Sequence, residues 1–184
     1  MNKVSVYMKR NILVIIIGFL TTQIILAQSV SIGPQAGFVK SVSADESILM
    51  PGGAIRINFE GLSIEGAVYQ KIENNKDGSI NTKSFPVQLT GIVKMFPYIN
   101  FEIGFGWYNT KIDYSQDIFP GLDSETSKNI GYHVGIGSQL EIGRFMVTCD
   151  VRYVFLDLDL NNISNTTTMN NNFFAVMAGA MFRF

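Results

Sequence analysis

From Ile99 to Tyr108 the chain alternates without a break. Ile99, Phe101, Ile103, Phe105 and Trp107 are apolar, and between them stand Asn100, Glu102, Gly104, Gly106 and Tyr108. A period of two belongs to a β-strand, whose successive side chains leave on opposite faces. The segment therefore predicts a strand with one apolar side and one polar, glycine-rich side. Phe145 to Phe155 reads the same way, with Phe145, Val147, Cys149, Val151, Tyr153 and Phe155 on one face and Met146, Thr148, Asp150, Arg152 and Val154 on the other. In Ile130 to Ile142 the apolar set includes Tyr132, Val134, Ile136 and Leu140, and the opposite set is Gly131, His133, Gly135, Gly137, Gln139 and Glu141. Similar patterns predict strands over Val30–Val39, Gly52–Phe59, Leu62–Lys71, Lys83–Phe96 and Asn172–Phe184. Together these make eight.

The connections alternate as well. Glu60-Gly61, Pro97-Tyr98 and Gly143-Arg144 read as tight turns, whereas 40–51, 72–82, 110–129 and 158–171 are long and rich in Asn, Asp, Ser and Gly. Segments of about ten residues with an apolar face suit tilted strands crossing a bilayer. Lipid supplies no hydrogen-bond partners, so a sheet in it must close on itself. The expected fold is therefore all-β, an eight-stranded antiparallel up-and-down transmembrane β-barrel. Its short turns would lie on the periplasmic side and its long loops outside.

The first thirty residues follow a different pattern. Lys3, Lys9 and Arg10 precede an apolar stretch from Ile12 to Leu26, and Ala27-Gln28-Ser29 follows. Basic, apolar and small-residue regions in that order predict a cleaved secretory signal over 1–27 and a barrel domain over 28–184. Cleavage fits after Ala27 or after Ser29. Charged residues make up only 16% of the chain, below the roughly 25% usual in soluble domains. Removing 1–27 takes away three of the 14 basic residues and none of the 15 acidic ones, leaving a net charge of −4. That balance offers no basic footprint for nucleic acid. The single cysteine, Cys149, excludes an intramolecular disulfide and reads as a small apolar filler.

Parity places Arg56, Glu65, Lys94, Glu102, Glu141, Asp150, Arg152 and Arg183 on the inner face, four positive and four negative. The tight turn at Glu60-Gly61 sets Arg56 opposite Glu65, and opposite charges across a ladder attract. The inner glycines Gly33, Gly37, Gly104, Gly106, Gly131, Gly135, Gly137 and Gly179 make room for long side chains in a barrel only just wide enough for them. The lumen is expected to be a packed polar plug with these eight charges in an ion-pair network. Aromatic girdles are expected at both rims. Phe59, Phe96, Tyr98, Phe101, Phe145, Phe182 and Phe184 fall at the periplasmic rim, and Phe38, Tyr69, Phe85, Trp107, Tyr153 and Phe174 at the outer one.

The stretch Ser31-Ile32-Gly33-Pro34-Gln35-Ala36-Gly37-Phe38, the hairpin segment Gly53-Ala54-Ile55-Arg56-Ile57-Asn58-Phe59 and the final Ala178-Gly179-Ala180-Met181-Phe182-Arg183-Phe184 carry a resemblance. Over nearly all of 28–184 the chain resembles the small outer-membrane β-barrel domain family of Gram-negative bacteria, the group of outer membrane protein A and outer membrane protein X types. The resemblance implies an outer-membrane location, contact with outer-membrane lipid, and Phe182 and Phe184 as the signal presented to the barrel-assembly machinery. It implies no one shared activity.

Candidate chemistry is sparse. His133 is the sole histidine, and the position two residues on is Gly135, not the serine that outer-membrane lipid deacylases place near theirs; a packed lumen histidine is the simpler reading. Glu102, Glu141 and Asp150 read as lumen ion pairs before they read as acid–base groups. Asp113, Asp117, Asp123 and Glu125 share one loop but lack the spacing of a calcium loop. No catalytic residue, cofactor or metal site is expected. The expected role is a non-catalytic barrel with a closed lumen and four extracellular loops available to a surface ligand. The alternatives are a lipid-modifying enzyme of the outer membrane, a narrow channel, and a soluble ligand-binding barrel, the last disfavoured because it would need its apolar residues inside.

Overall fold

The computed structural model describes residues 29–41, 47–74, 80–115, 124–159, 168–170 and 172–184. Residues 1–28, on which the export-signal reading falls, lie outside the described residues. Eight strands form one closed antiparallel sheet: β1 (Ser29–Ser41), β2 (Ile48–Asn58), β3 (Leu62–Tyr69, resumed at Lys71–Asn74), β4 (Ile80–Phe96), β5 (Ile99–Tyr114), β6 (Glu125–Ile142), β7 (Phe145–Phe155) and β8 (Phe173–Arg183). Each pairs with its chain neighbours, and β8 closes on β1. Asp157–Asp159 pairs with Thr168–Asn170 in a separate two-stranded sheet within the connection from β7 to β8.

The ladder register measures the shape. From Ser31 the pairs run to Arg56, Glu65, Thr90, Gly104, His133, Val154 and Phe173, and return to β1 at Ser41, ten residues further along. With a rise of about 3.3 Å per residue and strands about 4.8 Å apart, that stagger tilts the strands by about 40° and puts the backbone about 8 Å from the axis. Such an interior holds side chains and little else.

Burial follows the pleat. On β7 exposed and buried residues alternate from Phe145 to Phe155, and on β3 they alternate from Leu62 to Tyr69. The exposed file is apolar around the wall: Ile32 and Phe38 on β1, Ile55 on β2, Leu89 on β4, Ile103 on β5, Ile136 on β6, Val151 on β7 and Val176 on β8. Free Cys149 lies in this exterior file. Aromatics pack edge-to-face on it near both rims. Phe182 meets Phe145 at 5.6 Å and Phe184 at 5.1 Å; at the other rim Tyr153 meets Phe155 and Phe174, each at 4.7 Å between ring centres.

The tight turns have local causes. Gly61 (φ 72°) and Gly143 (φ 61°) take left-handed backbone that a Cβ would disfavour, and the Phe59 N–H donates to the Leu62 carbonyl at 2.8 Å. Ahead of the Pro97-Tyr98 turn the ladder shifts register between Lys94 and Phe96. The interruption of β3 at Gln70 lies where Pro51 on β2 and Pro86 on β4 flank the strand. Neither proline has an N–H to give the ladder.

Three expectations are corrected. Tyr69 belongs to the lumen and not to the outer girdle, since its side of β3 is the buried one. β4, β5 and β6 run to 17, 16 and 18 residues, beyond their expected outer limits at Lys83, Tyr108 and Ile130. Part of the span expected as the last loop is the two-stranded sheet of 157–159 with 168–170.

Candidate functional site: the charged lumen

Five charged side chains, Arg56, Glu65, Glu102, Asp150 and Arg152, are buried together inside the barrel; Glu125 is also buried, at the loop end of β6. Each of the five arrives by parity from a different strand or position, so the closed sheet rather than the local sequence brings them together. Arg56 and Glu65 are direct ladder partners across the β2–β3 hairpin. The Arg56 Nη2 and Nε atoms donate to Glu65 Oε2 at 2.6 and 3.0 Å. Arg152 reaches across the lumen and donates from Nη2 to Glu65 Oε1 at 3.0 Å and from Nε to Glu102 Oε2 at 2.9 Å. Its Nε also stands 2.7 Å from Asp150 Oδ1, an ion-pair contact without hydrogen-bond alignment.

Uncharged amides and phenols extend this cluster in both directions. Toward the loops, Arg152 Nη1 donates to Gln88 Oε1 at 3.1 Å, and Gln88 Nε2 donates to the Tyr108 hydroxyl at 2.9 Å. Toward the tight turns, Arg56 Nη1 donates to Gln139 Oε1 at 3.2 Å, and Gln139 Nε2 donates to Glu141 Oε1 at 3.4 Å. Arg183 pairs with Glu141 at that rim, where both are about one-third exposed. From β1, Gln35 Nε2 donates to Glu65 Oε2 at 3.0 Å and its Oε1 accepts from the Tyr69 hydroxyl at 2.5 Å. All eight strands contribute to this one chain of polar contacts, which runs from near the loop end to the opposite rim.

The eight charges named from the sequence thus divide. Five sit in the buried cluster, and Glu141 and Arg183 form a rim pair tied to it through Gln139. Lys94 stands outside: it is half-buried beside the register shift of β4 and makes no side-chain ion pair among the described residues. It keeps the inward parity expected of it and stays in register with Asn100, but at the tight-turn rim it takes no part in the network's ion pairs. The buried cluster holds two positive and three negative groups, not four of each. Sequence reasoning missed Gln35, Gln88 and Gln139 as connectors because it counted only charges; their shared parity with Arg56, Arg152 and Glu141 was the available signal. Buried polar groups need partners, and long amides are what bridges charges too far apart to meet.

Apolar side chains complete the filling. Met146 and Met181 lie toward the tight turns, and Val39, Met50, Val154 and Phe173 lie on the loop side of the charges. These apolar side chains are interleaved with polar ones along the whole lumen: Ser31, Asn58 and Ser63 are buried at the tight-turn end, and Ser84 and Thr110 at the loop end. Glycines leave the space the charges occupy. A Cβ on Gly137 would stand 2.6 Å from Glu102 Oε1 and 2.9 Å from the Asp150 Cβ, and one on Gly104 would stand 2.6 Å from His133 Nε2.

His133 is buried, with Nε2 3.0 Å from Thr90 Oγ1 and no hydrogen-bond partner at Nδ1. A nucleophile–base pair needs a third group to orient the base and a path for substrate; here neither hydroxyl nor ring is exposed. Among the described residues no group of three or more metal-ligating side chains comes together. Of the acidic-loop candidates, Asp117 and Asp123 lie outside the described residues, Asp113 pairs with Lys111 at 2.7 Å, and Glu125 is buried.

A closed eight-stranded sheet with an apolar exterior and a charged, filled interior defines the class: the fold is that of the small outer-membrane β-barrels. Solved structures bear this out. The chain is similar to neisserial surface protein A (TM-score 0.57, 12% identity, covering 85% of this chain and 96% of that one). It is also similar to the outer membrane protein AlkL, solved in lipid bilayers (TM-score 0.55, 14% identity, 85% and 90% covered). A third is the attachment invasion locus protein of Yersinia pestis, solved in complex with the heparin analogue sucrose octasulfate (TM-score 0.54, 18% identity, 85% and 97% covered). No protein-family model and no curated protein sequence matches the chain.

Proposed function

We propose that this protein is exported by the segment 1–27 and resides in a Gram-negative outer membrane as a non-catalytic barrel. Its lumen stays closed, and its four outer connections offer a surface for a ligand or a partner. The observation that carries this reading is the pairing of two surfaces: an apolar exterior right around a closed sheet, and Arg56 and Arg152 each about 1% exposed within it. Apolar side chains in such a continuous belt are stable in lipid and costly in water. Buried guanidinium groups saturated by carboxylates and amides leave no open aqueous path. Phe182 and Phe184 are proposed as the residues read by the assembly machinery; Phe182 lies on β8 and Phe184 directly follows it, the two rings meeting edge-on, and the Phe184 N–H donates to the Val30 carbonyl at 2.9 Å.

The test has two parts. Fractionated cells should hold the protein in the outer membrane, with gel migration that changes on boiling. Recovery in the soluble periplasm would end the membrane reading. In planar bilayers the wild type should pass little current, and a large, steady conductance would end the closed-lumen reading.

A further inference from the structure

Outside the lumen, the most unusual charges lie on the exterior of the extended strands. Lys83 on β4 and Lys111 on β5 are direct ladder partners, and both point outward. Lys128 on β6 lies two residues from Thr126, the ladder partner of Lys111, and is exposed on the same face. Like charges placed directly opposite one another on a sheet destabilise it. Among the described side chains of this face one carboxylate answers them, Asp113, 2.7 Å from Lys111. Lys83 and Lys128 have no ion pair among the described residues.

Their level matters as much as their charge. Two residues toward the tight-turn end come Phe85 below Lys83 and Ile130 below Lys128; Asn109 and then Trp107 follow below Lys111. Phe85, Trp107 and Ile130 are exposed and belong to the apolar exterior. On strands tilted by about 40°, two residues amount to about 5 Å of height. The lysines thus stand just above the last apolar row, facing sideways from the wall rather than outward from the loop tips. That is the level of lipid headgroups. A lysine ammonium is a compact point charge suited to phosphate.

We propose that Lys83, Lys111 and Lys128 form a docking site for the phosphate groups of a phosphorylated glycolipid in the outer leaflet. The inference rests on the outer-membrane reading above. A phosphate between the ammonium groups turns their mutual repulsion into attraction, and the acyl chains below lie along Phe85, Trp107 and Ile130. A free polyanion has the same charge chemistry, but the sideways aim of the site just above the apolar belt favours a lipid.

Trp107 is the only tryptophan and lies on this face, so its fluorescence reports lipid at the site. The full-length barrel is inserted into phosphatidylcholine vesicles carrying a minority of bisphosphorylated lipid A with brominated acyl chains, or the same lipid after dephosphorylation. The phosphorylated form should quench Trp107 at a several-fold lower mole fraction. Each Lys→Gln change should weaken that preference by about five-fold, and K83Q/K111Q/K128Q should abolish it. K40Q, on β1 across the barrel, should leave it unchanged. Inorganic phosphate and sucrose octasulfate are then added in turn. Displacement of the lipid only at high concentrations supports the lipid assignment, and tight sulfate-ester binding without any preference between the two lipids overturns it. Equal quenching by both lipids, or a triple variant indistinguishable from wild type, also overturns it. Failure of the wild type to insert and to show heat-modifiable migration overturns the outer-membrane reading itself, and so is distinguishable from failure of the site.

Discussion

Arg152 holds three carboxylates at once, Glu65, Glu102 and Asp150, whereas Arg56 shares one of them. The two arginines are equally buried, so their removal should differ only in what is left behind. Arg152→Ala strands Glu102 and Asp150 without a cation, and breaking a buried pair costs about 3–5 kcal/mol. Arg56→Ala leaves Glu65 still bound by Arg152 and should cost clearly less. Urea unfolding of both variants in lipid vesicles measures the difference, and equal losses would show that Arg152 is not the hub. Space gives a second contrast. Gly137→Ala drives a methyl against Glu102 and Asp150 and should cost about 1–3 kcal/mol, the range for overpacking. Gly66→Ala faces outward with nothing within 4 Å and should be close to neutral in the same assay.

At the scale of an element, β6 records where the membrane ends. Its buried file runs evenly from Glu125 to Gln139, yet the exposed file changes from Ile136, Val134, Tyr132 and Ile130 to Lys128 and Thr126. The backbone pairing continues past the point where lipid stops demanding apolar side chains. Ile136→Arg should therefore cost about 2–4 kcal/mol, as a cation near the bilayer centre does. Thr126→Arg on the same face should fall within about 0.5 kcal/mol of wild type, the range of surface substitutions. Refolding titrations in vesicles compare them, and a Thr126→Arg penalty as large as that of Ile136→Arg would move the boundary outward. The same change of solvent explains the strand ends missed from the sequence. Alternation fades at Lys83, Tyr108 and Ile130 because both faces are polar beyond them, although β4, β5 and β6 remain paired.

For the whole molecule, assembly and stability should come apart at Phe184. Its ring is 75% exposed and touches Phe182 edge-on, so little of the folded barrel's packing depends on it. Phe184→Ala should lower the amount of protein reaching the outer membrane several-fold while leaving the unfolding midpoint of the purified, refolded barrel nearly unchanged. Equal outer-membrane levels of variant and wild type would remove Phe184 from the assembly signal.

Period-two alternation by itself determined the all-β class, the number of strands crossing the bilayer, the inside and outside of nearly every residue, and the Arg56–Glu65 pairing across a two-residue turn. It could do so because lipid imposes one rule on every second residue, and a tight hairpin fixes its own register. Tertiary structure alone decided which lumen groups meet. Closure with a stagger of ten residues sets Arg152 of β7 against Glu65 of β3 and Glu102 of β5, contacts 87 and 50 residues apart in the chain. It brings Gln35, Gln88 and Gln139 between the charges and leaves Lys94 out. Parity states which side a residue faces but says nothing of its height. In a lumen this narrow, height on the tilted, staggered wall determines which side chains touch.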